Sequence, residues 1–132
     1  MNKQILFLTF GLSLMGTNSV YANNKNTDYI SAWKSTAVVQ MLEHNIPASI
    51  TLAQGILESG AGTSKLALKG NNHFGIKCHD WTGKKMYHDD DKKKECFRVY
   101  PSAEESFVDH SLFLKKELSL IHISEPTRPS QI

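Results

Sequence analysis

The segment LAQGILESGAG, residues 52–62, constrains the chain more than any other. Ile50, Leu52, Ala53, Ile56 and Leu57 cover most of a helix circumference, a pattern that predicts a buried helix. Thr51, Gln54, Gly55 and Glu58 share the remaining narrow stripe at helical spacing. Gly60 and Gly62 end it, as glycine does just past a helix C-terminus. Glu58 is thereby expected beside apolar side chains and near the negative end of the helix dipole. Both surroundings disfavour an ionised carboxylate and predict a raised pKa. A carboxylic acid held protonated near neutral pH is the group that protonates a leaving glycosidic oxygen. The alternative is an ordinary Glu at a helix end, solvated or ion-paired.

Composition bounds the rest. With 132 residues, 40% of them hydrophobic, the chain makes one small domain. The formal charge of +2 does not argue for nucleic acid. The one basic run, Lys92-Lys93-Lys94, directly follows Asp89-Asp90-Asp91 and reads as a solvated loop whose charges largely cancel. The N-terminus reads as an address. Met1 to Gln4 gives a positive n-region, Ile5 to Met15 an apolar h-region, and Val20-Tyr21-Ala22 a cleavage site before Asn23. Residues 1–22 are therefore expected to be a signal peptide and 23–28 a polar linker. No stable membrane insertion is expected after cleavage, and the mature chain is expected in the periplasm or outside the cell.

Export changes how Cys78 and Cys96 should be read. In an oxidising compartment the lone pair of cysteines is expected to form a disulfide. The competing reading is a zinc site, since His73, His79, His88 and Asp89 to Asp91 lie close in sequence. It lacks a tight ligand pair such as CxxC or HExxH, so no metal or other cofactor is expected.

The periodicity of Ile30, Trp33, Ala37, Val38 and Met41 predicts an amphipathic helix over 29–43. Pro47 suits the first turn of the second helix. Ser64 caps a short helix that stops at Gly70. Asn71 to Gly75 reads as a loop. Two strand-like runs, 75–78 and 96–100, flank a polar turn, and a Cys78–Cys96 bridge would join their bases. Ser102 with Glu105 forms a capping box that opens a last helix at Ala103, with Phe107, Val108, Leu112 and Leu114 on its buried side. The order is α+β. His73 and His110 read as hydrogen-bonded structural histidines. Trp81 is either a stacking platform for a sugar ring or a core anchor.

From about Tyr29 to Leu114 the chain resembles the glucosaminidase-type peptidoglycan hydrolases, glycoside hydrolase family 73. IPASITLAQGILESGAGTSKLA, NNHFGIKCHDW, YHDDD, ECFRVY and EESFVDHSLFL, in that order, carry the resemblance, which is strongest to Bacteroidota members. It implies a small lysozyme-like fold, a helical lobe facing a β-hairpin lobe across a groove. It also implies cleavage of the β-1,4 bond between N-acetylglucosamine and N-acetylmuramic acid in peptidoglycan glycan strands. Glu58 matches the catalytic acid. Asn71, Asn72, Phe74 and Gly75 match an NNxFG loop at the groove floor, and Tyr100 an aromatic near the cleaved sugar. Gln54 and Trp81 join the substrate-binding set. For the second carboxylate Asp90 is preferred, with Asp89, Asp91 and Glu95 as alternatives. With none in place, the substrate's acetamido group would act as nucleophile. Residues 29–116 are expected to form the catalytic domain, lacking the family's closing helices, and 117–132 a disordered tail outside the family pattern. Two other functions share these features: a lytic transglycosylase, and a non-catalytic glycan-binding fragment.

Overall fold

The computed structural model describes residues 24–89 and 93–124, with no account of the side chains of 121–124. The signal segment, Asp90, Asp91 and residues 125–132 lie outside the described residues. Four helices and one hairpin follow in the order α1 (Lys25–His44), α2 (Ala48–Ser59), α3 (Lys65–Gly70), β1 (Lys85–His88), β2 (Glu95–Arg98) and α4 (Ala103–Ser124). Among the described residues no helix is long and apolar enough to cross a membrane.

Helix ends follow local chemistry. Asn24 accepts from the Asn26 N–H and opens α1 at Lys25, so residues 25–28 are helical rather than linker. Asn45 closes α1 in the left-handed region at φ 60°. Pro47 sits one residue ahead of α2, and Gly60, at φ 58°, stops it. Ser64 accepts from the Ala67 N–H and caps α3. Ser102 accepts from the Glu105 N–H at 3.4 Å and opens α4. That helix continues to Ser124, past the residue 116 boundary expected from the motifs.

The helix faces differ from the periodicity. In α2 the buried residues are Thr51, Gly55 and Ser59, whereas Leu57 is 80% exposed and Ile50 is exposed. In α1 they are Tyr29, Ala37 and Gln40, with Ile30 and Val38 exposed. The cause is the close approach of the two helices. The Tyr29 ring lies against the backbone of Gly55, and a Cβ there would fall 2.4 Å from the Tyr29 hydroxyl oxygen. Only a small-residue stripe admits that ring, so Ile50 and Leu57 turn outward while Leu52 and Ile56 are left partly buried at its sides. The core behind this contact gathers Tyr29, Phe74, Ile76 and Phe107, with Trp33, Leu52 and Ile56 packed against it. Trp33 and Phe107 stack at 5.1 Å, and α4 thereby lies on α1.

The hairpin also departs from expectation. β1 is Lys85–His88, paired antiparallel with β2 in the register Lys85–Arg98 to His88–Glu95. Residues 76–78 make no named strand. They pair along the other edge of β2 through the Arg98 N–H to Ile76 O and the Cys78 N–H to Cys96 O, with one bridge, Lys77 to Phe97. The Cys78–Cys96 disulfide locks this edge, its Cα atoms 5.4 Å apart.

Candidate active site

Glu58 stands in the last turn of α2, where its carboxylate opens onto a cavity of about 310 Å³. Phe74, Gly75 and Ile76 line it from the loop after α3, and His110, Phe113 and Leu114 from α4. Gly75 adopts φ +61°, a left-handed conformation that favours glycine, and its backbone faces the Glu58 Oε2 oxygen. Glu58 itself is exposed, so α2 does not supply the apolar enclosure expected from the helical pattern. Ser59, next along, donates from its hydroxyl to Gly55 O and accepts from the Gly62 N–H, fixing the turn that presents Glu58.

Gln54 lines the same cavity one helical turn earlier, with its Oε1 2.7 Å from His110 Nε2. The His110 ring stacks on Phe74 at 3.9 Å and 15°. Burial pushes the His110 pKa down to about 4, against an opposing pull from the Asp109 charge. His73 is buried elsewhere, 2.8 Å from the Tyr29 hydroxyl, and burial lowers its pKa as well.

Four other residues marked by the motifs do not line this cavity. Asn72 is a buried brace: its Oδ1 accepts from the Phe74 and Ile76 N–H groups, and its Nδ2 donates to Ile76 O and Arg98 O. Asn71 donates to Tyr100 O at 2.9 Å. Trp81 donates from Nε1 to Lys84 O, and the Arg98 guanidinium lies 5.0 Å over its ring. Tyr100 is buried, and its hydroxyl donates to Asp109 Oδ2. Burial, then the hydrogen bond and charge of Asp109, raise its pKa. Arg98 completes the group, donating to both Asp109 oxygens at 3.0 and 3.3 Å. Asp109 carried no signal in the sequence, since its partners come from another element.

Of the carboxylates considered for the second role, Asp89 accepts from the Lys94 N–H at 2.8 Å. Glu95 pairs with Lys77 at 2.9 Å, and Lys77 lines the Glu58 cavity. The other Glu95 oxygen is buried without a hydrogen-bond partner among the described residues. Among the described residues no group of three or more His, Cys, Asp and Glu side chains could hold a metal ion.

A scan against family models matches residues 34–129 to the glucosaminidase family, described as mannosyl-glycoprotein endo-beta-N-acetylglucosaminidase. The chain belongs to this family. This glucosaminidase-family chain is 42% identical over 81 residues to an autolysin of Enterococcus faecalis, covering 54% of the chain and 11% of that protein. It is 35% identical over 96 residues to the exo-glucosaminidase LytG of Bacillus subtilis, covering 66% of the chain and 34% of LytG. It thus spans a minor part of both relatives' length. Among solved structures, the glycoside hydrolase domain of Salmonella typhimurium FlgJ superposes with a TM-score of 0.59 at 29% identity, covering 69% of the chain and 61% of that domain. The peptidoglycan hydrolase of Sphingomonas sp. A1 gives 0.59 at 30% identity, covering 67% and 60%. These matches place the glucosaminidase-family chain among lysozyme-like folds.

Proposed function

We propose that the chain is an exported peptidoglycan hydrolase that cleaves the β-1,4 bond between N-acetylglucosamine and N-acetylmuramic acid. The observation that carries this reading is the Glu58 carboxylate facing an open, partly apolar cavity, in a family whose relatives are named as glucosaminidases and autolysins. Glu58 protonates the glycosidic oxygen as the bond to the anomeric carbon breaks. Because Glu58 is exposed, water is excluded from it by the bound glycan rather than by α2. Attack on the anomeric carbon comes from a water deprotonated by Asp90, or from the substrate's own acetamido oxygen. Phe74 and Gln54 hold the sugar beside Glu58, while Asn71, Asn72 and Tyr100 keep the loop and hairpin in place. Residues 1–22 direct export, and the Cys78–Cys96 bridge fits that compartment.

The test is turnover of purified cell wall with mass spectrometry of the new ends. Glu58→Gln keeps the side-chain size and removes the transferable proton, so cleavage should fall by roughly 10²–10⁴-fold with an unchanged melting temperature. Wild-type turnover by Glu58→Gln would remove Glu58 from the acid role. Anhydro ends in place of free reducing ends would assign the chemistry to a lytic transglycosylase. An Asp90→Asn loss as deep as that of Glu58→Gln would make Asp90 the base. A shallow one would point to the acetamido group.

A further inference from the structure

His110 and Gln54 form a pair that the acid–base step above does not use. His110 is 5% exposed, its Nε2 is 2.7 Å from Gln54 Oε1, and its Nδ1 is buried without a hydrogen-bond partner among the described residues. Two arrangements satisfy that geometry. In one, the Nε2–H donates to Gln54 Oε1, and the Nδ1 lone pair is left unpaired. In the other, the Gln54 amide turns over and donates to Nε2, and a buried Nδ1–H is left unpaired. A buried N–H without an acceptor is the rarer and costlier outcome. The low His110 pKa, near 4, keeps the ring neutral with a single N–H, so it must choose. The first arrangement follows, and it leaves the Gln54 NH2 group without a protein acceptor among the described residues.

Gln54 borders a cavity whose apolar walls are Phe74, Ile76, Phe113 and Leu114, with Glu58, Lys77 and His79 as further polar members of its lining. A hydrogen-bond donor beside an apolar wall complements the carbonyl oxygen and the methyl of an acetamido group. We infer that His110 is a positioning residue, orienting the Gln54 amide so that its NH2 receives the acetamido carbonyl of an N-acetylated sugar next to Glu58. The inference rests on the proposed glycan substrate and extends it to the sugar's N-acetyl substituent.

Nitrogen NMR of the unmodified protein reads the His110 tautomer directly. A pyrrole-type Nε2 with a pyridine-type Nδ1 is expected, and the reverse assignment would overturn the inference. Titration with the N-acetylglucosamine tetrasaccharide should shift the Gln54 side-chain amide signals. Gln54→Met, which keeps length and loses the donor, should weaken binding about tenfold, the scale of one lost hydrogen bond. His110→Phe keeps the stack on Phe74 and should weaken binding to the same degree. The double variant should lose no more than either single one, because both remove the same contact. Additive losses, unchanged affinity in Gln54→Met, or no binding of the tetrasaccharide by the unmodified chain would each overturn it. If Glu58→Gln still cleaves peptidoglycan, the acid assignment falls alone, because the tautomer and binding results do not depend on it.

Discussion

Two clusters of polar residues meet α4 at adjacent positions, His110 and Asp109, and they differ in what their hydrogen bonds leave over. At the Glu58 cavity the carboxylate is exposed and the Gln54 amide keeps a donor to spare. At the corner between hairpin and α4, Tyr100, Arg98 and Asp109 consume one another's bonding capacity, with Trp81 laid beneath the guanidinium. Both places hold residues that motifs single out. The open cluster keeps polar groups turned to the cavity, whereas the closed cluster spends its groups on one another. The loss of cleavage expected of Glu58→Gln, with stability intact, belongs to the open cluster. The closed cluster should show the opposite signature.

The largest stability effect is expected on the closed side. Reducing the Cys78–Cys96 bridge, which joins residues 18 apart, should cost roughly 3 kcal/mol by the loop-entropy estimate. Chemical denaturation with and without reductant measures it, and an unchanged midpoint would mean that the strand edge holds without its staple.

An effect on the order of 3 kcal/mol should come next, from acid, and it belongs to the open side. The His110 pKa is about 4 when folded, below its ordinary 6.5. Between those values the unfolded chain binds more protons, so stability present above pH 6.5 is lost as pH falls towards 4. His73, also lowered, adds in the same direction. Melting temperatures across this range should fall, and His110→Phe should flatten the slope. An equal slope in that variant would leave His73 as the source.

Tyr100→Phe removes the hydroxyl that donates to Asp109 and should cost about 1.5–3 kcal/mol, the range for a hydrogen bond to a charged partner. Turnover per folded molecule should stay near wild type. A collapse of activity with stability preserved would erase the contrast between the two clusters. The smallest effect is expected at Leu57, 80% exposed despite its place in the apolar pattern. Leu57→Gln should change stability by no more than about 0.5 kcal/mol, because little apolar area leaves water in the folded state.

What the sequence made legible was local. The stops at Gly60 and Gly70, the caps at Ser64 and Ser102, and the Cys78–Cys96 bridge depend on residues close in the chain or on chemistry specific to them. The faces of α1 and α2 were not legible, because the fit of Tyr29 over Gly55 outranks hydrophobic count, and no single helix records it. The KMYH strand lacks an apolar alternation and is defined by its partner, ECFR. Gln54 and Glu58 could be placed on one stripe from spacing alone. Their meeting with His110, 56 residues after Gln54, could not.

The phenol ring against Gly55 also acts as a depth stop. It sets how far α2 sinks onto α1, and Gln54 and Glu58 ride on the turns flanking that point of contact. The reach of the Glu58 carboxylate into the cavity is therefore calibrated from a position on its own stripe of the helix, three residues earlier, by a ring that belongs to another element. A methyl group at position 55 would lift both site residues together, leaving their mutual spacing correct and their distance to Phe74 and His110 wrong.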